Sequence, residues 1–402
     1  MTEAPAISST NQRLVSVDVY RGFVMFLLGM RLLELDEIAA HFPDSGFWRF
    51  IGFHSAHVPW VGCSLNDLIH PSFAFLTGTS LAFSVASRRE KGHPFTIMLR
   101  HALVRSAILV ALGIFLRSQG RPMTNWTFEE TLTQTGLGYP FLFLLAFATA
   151  RLRWISFSLL IVSGWLIYVA FPVLPPHADP DAFNTPSGWA HDFSGFYEHW
   201  NHNRNAGWAF DIWFLNLFPR PRPYVGYLGG YSTLNFITTL ATMILGYFAG
   251  TWLRAASKAR SETHVVFKRL VSLGAVCIVV SGLMHYGGIC PVIKHLWTPS
   301  WVFLSGGMCF VLLAVFHQIL DVKQFRDWSF PFLVLGMNSL AFYLMRHTLD
   351  EWLSENLQRH FGSATFQFFG PELEPLLIGL CSFLLLWLVV YGMYRRKLFL
   401  RV

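Results

Sequence analysis

The amino-acid sequence predicts an all-α fold: a polytopic integral membrane helix bundle of about ten transmembrane helices, with N and C termini cytoplasmic. Composition is the first reason. The 402 residues are 53% hydrophobic and only 13% charged, with a mean hydropathy of +0.43, whereas a soluble domain carries roughly 25% charged residues. Patterning is the second. Apolar runs fall near residues 16–35, 66–86, 98–118, 134–150, 154–173, 233–253, 267–286, 300–320, 330–348 and 374–394, each about the length a bilayer core requires. The third is charge placement. Eighteen of the thirty basic residues lie in short segments between alternate runs, among them Arg88, Arg89, Lys91, Arg100, Arg151, Arg153, Arg254, Lys258 and Arg260, as the positive-inside rule requires of cytoplasmic loops. Arg13 before the first run and Arg401 after the last put both termini on that side. The net charge of +7 therefore follows from topology, and no nucleic-acid partner is expected.

The first run opens with Ser16-Val-Asp18-Val-Tyr-Arg21-Gly22. No basic stretch precedes it, and it already holds two charges, so it reads as a membrane helix and not as a cleaved signal. The i, i+3 spacing places the carboxylate and the guanidinium on one face, where they neutralise each other. Such a pair either braces helix packing or, with Arg105 in the third run, faces an anionic cofactor entering from the cytoplasm. Guanidinium forks suit phosphates and thioester-bearing nucleotides.

Between the first two runs stands His54-Ser-Ala-His57-Val-Pro-Trp60-Val-Gly62-Cys-Ser64-Leu-Asn66-Asp67, polar and on the non-cytoplasmic side. Polar groups at membrane depth are expensive and tend to be functional. An imidazole with a near-neutral pKa can take a proton from an attacking amine or hydroxyl, and a carboxylate such as Asp67 on the other ring nitrogen would fix its tautomer. The alternative for either histidine is an interfacial side chain hydrogen-bonded to its own loop. Pro71, Phe73 and Gly78 then let the second helix start and pack closely.

Between the fifth and sixth runs, residues 174–232 form a long non-cytoplasmic segment with seven Pro from Pro175 onward, several Trp and Tyr, and His177, His191, His199 and His202. Loops of this length are usually functional, so it reads either as a folded cap for a polar or sugar-like molecule or as an inert connector. Between the seventh and eighth runs, Pro291-Val-Ile-Lys294-His295-Leu-Trp297-Thr298-Pro-Ser300 offers an indole for a pyranose face and polar groups for its hydroxyls. An aromatic anchor with a snorkelling lysine would look the same. In the ninth run, Gly336-Met-Asn338-Ser339 puts an amide and a hydroxyl into an apolar helix, where such groups commonly bond across helices. The five cysteines show no CxxC spacing, so neither a disulfide framework nor a metal site is expected. No repeat or low-complexity tract is visible, and residues 1–402 read as one transmembrane domain whose cap is the 174–232 loop.

These segments resemble, in residues and in order, the heparan-α-glucosaminide N-acetyltransferase-like family of transmembrane acyltransferases. The resemblance rests on Arg13-Leu-Val-Ser16-Val-Asp18-Val-Tyr-Arg21-Gly22 and on His57-x-x-Trp60-x-Gly62-x-Ser64-x-x-Asp67-Leu-x-x-Pro71-x-Phe73-x-Phe-x-x-Gly78. It continues in Pro291-Val-Ile-Lys294-x-Leu-Trp297-Thr298-x-Ser300 and Gly336-Met-Asn338-Ser339. It implies that acetyl-CoA binds from the cytoplasm as co-substrate and that its acetyl group crosses the bundle to an amino sugar on the far side. His57, not His54, would be the general base, with Asp67 and Asn66 shaping its surroundings and Trp60, Lys294, Trp297 and Asn338 available to the acceptor. Asp18, Arg21 and Arg105 would lie near the coenzyme path. Where relatives carry an acidic turn before the sixth helix, this chain has Leu228-Gly-Gly230-Tyr231-Ser-Thr233-Leu-Asn235, which leaves the acceptor open: a glucosamine-type sugar, another cell-envelope glycan or a peptidoglycan fragment, N- or O-acetylated. No luminal domain precedes the first helix, so a bacterial inner membrane is the expected home, and a homodimer is compatible with the sequence. A sugar or drug transporter is the alternative, and it calls for inverted repeats or broken helices near the midplane. A haem or quinone protein would need facing histidine pairs at ligand spacing, and none recurs on one helix.

Overall fold

The computed structural model describes residues 14–174, 183–186, 188–258 and 263–400. Arg13, His177, Arg260 and Arg401 lie outside the described residues, as does the side chain of Lys258. In chain order the helices are α1 (Val15–Met30), α2 (Leu35–Ala40), α3 (Gly46–Ser55), α4 (Ile69–Glu90), α5 (Phe95–Ser118), α6 (Thr131–Ala146), α7 (Ala150–Val169) and α8 (Ala206–Leu215). They continue as α9 (Asn235–Lys258), α10 (Thr263–Tyr286), α11 (Pro299–Phe316), α12 (Phe330–Met337), α13 (Ser339–Phe361), α14 (Ser363–Phe366) and α15 (Glu374–Arg395). No strand forms among the described residues.

Each of the ten apolar runs is helical. Seven of these helices are long and apolar enough to cross a membrane among the described residues, and eight if α12 and α13, bent by 71° at Asn338, count as one span. Helices α1 and α6 fall short at 16 residues each, α6 with Pro140 inside it. The bend has a local cause: Asn338 sits at φ −127°, ψ 38°, outside helical geometry, so the hydrogen-bond ladder is interrupted there.

Burial separates an inner from an outer set. The helix that runs Asn66–Glu90 and the α9 span at Asn235–Ser257 have 67% and 78% of their apolar window buried, against 17% for α5 and for α7. Lipid is as apolar as leucine, so helices in a bilayer associate by close packing at small residues. That is how the inner pairs meet. A Cβ on Gly78 would stand 1.9 Å from the Met243 carbonyl oxygen and one on Gly246 1.8 Å from that of Phe75, so α4 and α9 touch backbone to backbone. Gly22 and Gly336 do the same for α1 and α12, at 1.7 Å from the Phe332 oxygen and 1.8 Å from the Asp18 oxygen. Helix α4 is thereby fixed at the centre, with the 56–68 loop at one end and Arg88 and Lys91 at the other.

The described part of the 174–232 segment folds over the end of the bundle at the 56–68 loop. Asn205 caps α8 by accepting from the Trp208 N–H at 3.1 Å, and Trp60 donates from Nε1 to the Trp200 carbonyl at 3.1 Å. Trp60, Tyr168, Trp200, Cys290 and Ile293 form a buried cluster beneath it.

Candidate active site

Two loops build the site. Gly62, at φ +116°, a conformation glycine adopts without penalty, turns the 56–65 loop so that Val61 bridges Ile293 and the Gly62 N–H donates to the Val292 carbonyl at 3.1 Å. The 290–298 loop is pinned in turn. Thr298 donates to the Pro291 carbonyl at 2.7 Å and accepts from the Trp301 N–H to cap α11. Asn235 donates to the His295 carbonyl at 2.8 Å. This docking delivers Lys294 to a carboxylate 227 residues earlier in the chain.

Asp67 is fully buried and is the hub. Its Oδ2 accepts from the Ser64 N–H at 2.9 Å, the Ser64 hydroxyl at 3.0 Å and the Val58 N–H at 3.3 Å, which fixes the whole loop. Its Oδ1 accepts from Lys294 Nζ at 3.0 Å and faces His57 Nδ1 at 2.9 Å. Lys294 Nζ stands 2.9 Å from the same Nδ1, and Asn66 Nδ2 3.2 Å from it. The imidazole is thus held by one ring nitrogen only, while its side chain is 46% exposed. With Nδ1–H on Asp67, the Nε2 lone pair is the basic one.

Burial pushes the pKa of His57 down, the hydrogen bond to Asp67 opposes this, and the Lys294 ammonium adds to the lowering. Burial works against the charge on Lys294, but Tyr231 and Asp67 outweigh it and carry its pKa up, so the ammonium persists. A neutral imidazole beside a retained ammonium and carboxylate is chemically able to accept a proton. His54 sits elsewhere: its Nδ1 accepts from the Leu65 N–H at 3.2 Å and its ring packs on Phe50 and Phe53.

The opposite end of α4 opens on a cavity of about 740 Å³. Its walls include Asp18 and Arg21 of α1, Arg105 of α5, and Gly336 and Ser339 at the α12–α13 bend. Arg21 pairs with Asp18 at 3.1 Å and donates to the Ser80 hydroxyl at 2.6 Å. Arg105 lies over the Tyr139 ring, 4.7 Å from its centroid, and reaches the Tyr139 hydroxyl at 3.3 Å. The volume suits a ligand of a few hundred daltons or the arm of a larger one.

One feature of α4 joins cavity to histidine. Phe73, Thr77, Ser80, Ser84, Ser87 and Lys91 all line the cavity, and they recur at alternating steps of four and three residues, the spacing of one helix face. Continued upward, the same face carries His70 and then Asn66, which touches His57. The stripe from Ser87 to Asn66 is roughly 30 Å long at 1.5 Å per residue, the thickness of a bilayer core. The hydroxyls at 77, 80 and 84 had gone unnoticed in the sequence; their 4-3 spacing was the available signal.

The remaining sequence candidates fall in three places. Trp60 is fully buried, stacked on His295 at 5.2 Å and beside Trp189 and His202 under the cap. Trp297 is also fully buried, donating from Nε1 to Thr242 at 3.1 Å and lying 4.3 Å from the His70 ring. Asn338 is not beside His57: it sits at the bend next to the cavity wall, where its Oδ1 accepts from the Leu400 N–H at 3.2 Å and its Nδ2 is buried without a partner. Among the described residues no three His, Cys, Asp or Glu side chains converge as a metal site needs.

No family model matches the chain. It is 22% identical over an alignment of 435 positions to heparan-alpha-glucosaminide N-acetyltransferase from Homo sapiens and 23% identical over 437 positions to the Mus musculus protein, covering 98% of the chain in both cases. The chain spans about three-fifths of the length of these relatives, 61% of each.

Proposed function

We propose, from this distant relationship to heparan-alpha-glucosaminide N-acetyltransferases, that the chain is a transmembrane acetyltransferase. It takes an acetyl group from cytoplasmic acetyl-CoA and delivers it to the amino or hydroxyl group of a sugar or glycan on the other side of the membrane. The observation that carries the reading is the shared face of α4: a cavity lined by Asp18 and the basic side chains of Arg21, Arg88, Lys91 and Arg105 at one end and an oriented histidine at the other. The basic loops around Arg88, Arg151 and Arg254 support a cytoplasmic cavity mouth and cytoplasmic termini, as the positive-inside rule expects. Counting α1 and α6 with the eight longer spans gives ten crossings, and a bacterial inner membrane is the natural setting.

In this reading Arg21 and Arg105 meet the phosphates of the coenzyme, Asn338 and Ser339 the pantetheine amides, and the hydroxyl stripe guides the arm toward His57. Nε2 of His57 removes the proton of the acceptor amine as its nitrogen attacks the thioester carbon. Asp67 steadies the imidazolium that forms, and Lys294 holds Asp67 in place. Lys294 and Trp297, buried as they are, support the site from behind, and the acceptor meets the exposed edge of His57 below the aromatic cap.

The reading is tested by incubating purified protein with radiolabelled acetyl-CoA and a panel of amino sugars and envelope glycans; transfer to at least one is expected. Replacing Arg105 with methionine is expected to raise KM for acetyl-CoA about tenfold with kcat nearly unchanged, the pattern of lost uniform binding. A transporter is the second reading, favoured by the break at Asn338, since discontinuous helices mark many transporter sites. It requires sugar flux without acetylation in the same preparation.

A further inference from the structure

His70 occupies the one position on the α4 stripe between the cavity wall at Phe73 and Asn66, which contacts His57 at 3.2 Å. It is 9% exposed, and among the described residues its buried Nε2 has no hydrogen-bond partner. Buried polar atoms are almost always paired, and one left open asks for an explanation. Packing alone does not supply it, because a phenylalanine would fill the same space against Trp297 with no polar atom to satisfy. Trp297 itself is tied to Thr242 at 3.1 Å and lies 4.3 Å from the imidazole, so the ring is clamped. Of the other buried histidines with an open nitrogen, His202 and His295 belong to the aromatic cluster under the cap, and His317, just past α11, is tied to Asp321 through Nδ1 at 2.9 Å, away from the α4 stripe. Among the described residues His70 is the one placed where a thioester rising from the cavity would meet the level of His57.

Resting on the acyltransferase reading, we propose that His70 is a further catalytic residue, whose Nε2–H donates to the thioester carbonyl oxygen and stabilises the oxyanion. The acceptor nitrogen bonds to the carbonyl carbon as the C=O π pair moves onto oxygen, and His57 takes the proton from nitrogen. Collapse re-forms C=O and breaks C–S. The electron pair leaves on sulfur, and the proton held by His57 passes to the thiolate, giving the amide, free coenzyme A thiol and neutral His57. His70 supplies a hydrogen bond throughout and exchanges no proton.

The test compares wild type, His70→Phe and His70→Gln in acetyl transfer from labelled acetyl-CoA. Loss of one oxyanion donor is expected to lower kcat about 100-fold in His70→Phe. KM for acetyl-CoA and the acid limb of the pH profile should stay at wild-type values, because coenzyme binding and the His57 base are untouched. His70→Gln, which keeps an N–H donor at a similar reach, should recover a large part of the loss. A His70→Phe variant within threefold of wild-type kcat overturns the inference and leaves the acyltransferase reading intact. Equal losses in both variants, with acetyl-CoA binding lost too, also overturn it and assign His70 to packing. A wild type that transfers no acetyl overturns the reading and the inference together.

Discussion

His57→Ala is expected to lower kcat for acetyl transfer about 10²- to 10⁴-fold, the range for loss of a positioned general base, while acetyl-CoA still binds. The cavity beside Arg21 and Arg105 and the histidine are at opposite ends of α4, so a side chain at one end does not shape the other. His54→Ala should stay within about threefold of wild type, because its ring is engaged with Leu65, Phe50 and Phe53 and not with Asp67. The same base sets the acid limb of the pH profile. The active form is the neutral imidazole, so rate rises as pH rises through the His57 pKa. Burial and the Lys294 ammonium hold that pKa down, and the midpoint should therefore fall below the roughly 6.5 of an ordinary imidazole. Initial rates between pH 4.5 and 8, in wild type and both variants, check all three expectations.

Lys294→Met should be the most destabilising single change in the site. It leaves the Asp67 carboxylate buried with its cation gone, and breaking a buried pair in this way costs about 3–5 kcal/mol. Activity should fall as well, because Asp67 and His57 share the lost ammonium. The double variant Asp67→Asn/Lys294→Met removes both charges and keeps an oxygen for the Ser64 N–H, so it should recover much of the thermal stability. Without a carboxylate to orient His57 it should not recover activity. In whatever residual activity Lys294→Met retains, the acid limb should move upward, since the ammonium no longer depresses the imidazole. Thermal melting in detergent with parallel rate profiles separates the two effects. A Lys294→Met variant as stable as wild type would mean that the ion pair does not hold the loop.

The helices were legible because each apolar run is a local property of the chain, and all ten runs are helical. What the runs could not reveal was span length at α1 and α6 or the 71° bend at Asn338, since those depend on neighbours. The His57–Asp67 contact was open to a sequence reading because only ten residues separate the partners. Lys294 was not: it lies 227 positions beyond Asp67, and the docking of the two loops through Val61–Ile293 and Gly62–Val292 brings them together. A lysine three residues before a tryptophan looks like a sugar ligand when its burial is unknown. Asn338 was misleading for a similar reason, being nearer in space to Asp18 and Arg21 than to the histidine loop, a consequence of Gly22 and Gly336 closing α1 onto α12. Asp18 and Arg21 were paired by their i, i+3 spacing and joined with Arg105 by charge and by the resemblance, and all three line one cavity.

The most direct measurement is sided transfer in sealed proteoliposomes of defined orientation. Labelled acetyl-CoA is supplied only on the face bearing Arg88 and Lys91, and a membrane-impermeant amino sugar only on the face bearing His57. Label accumulating on the sugar in the opposite compartment, dependent on His57, is the expected result. Label appearing only when donor and acceptor share a compartment, or sugar crossing unmodified, would contradict transfer along α4.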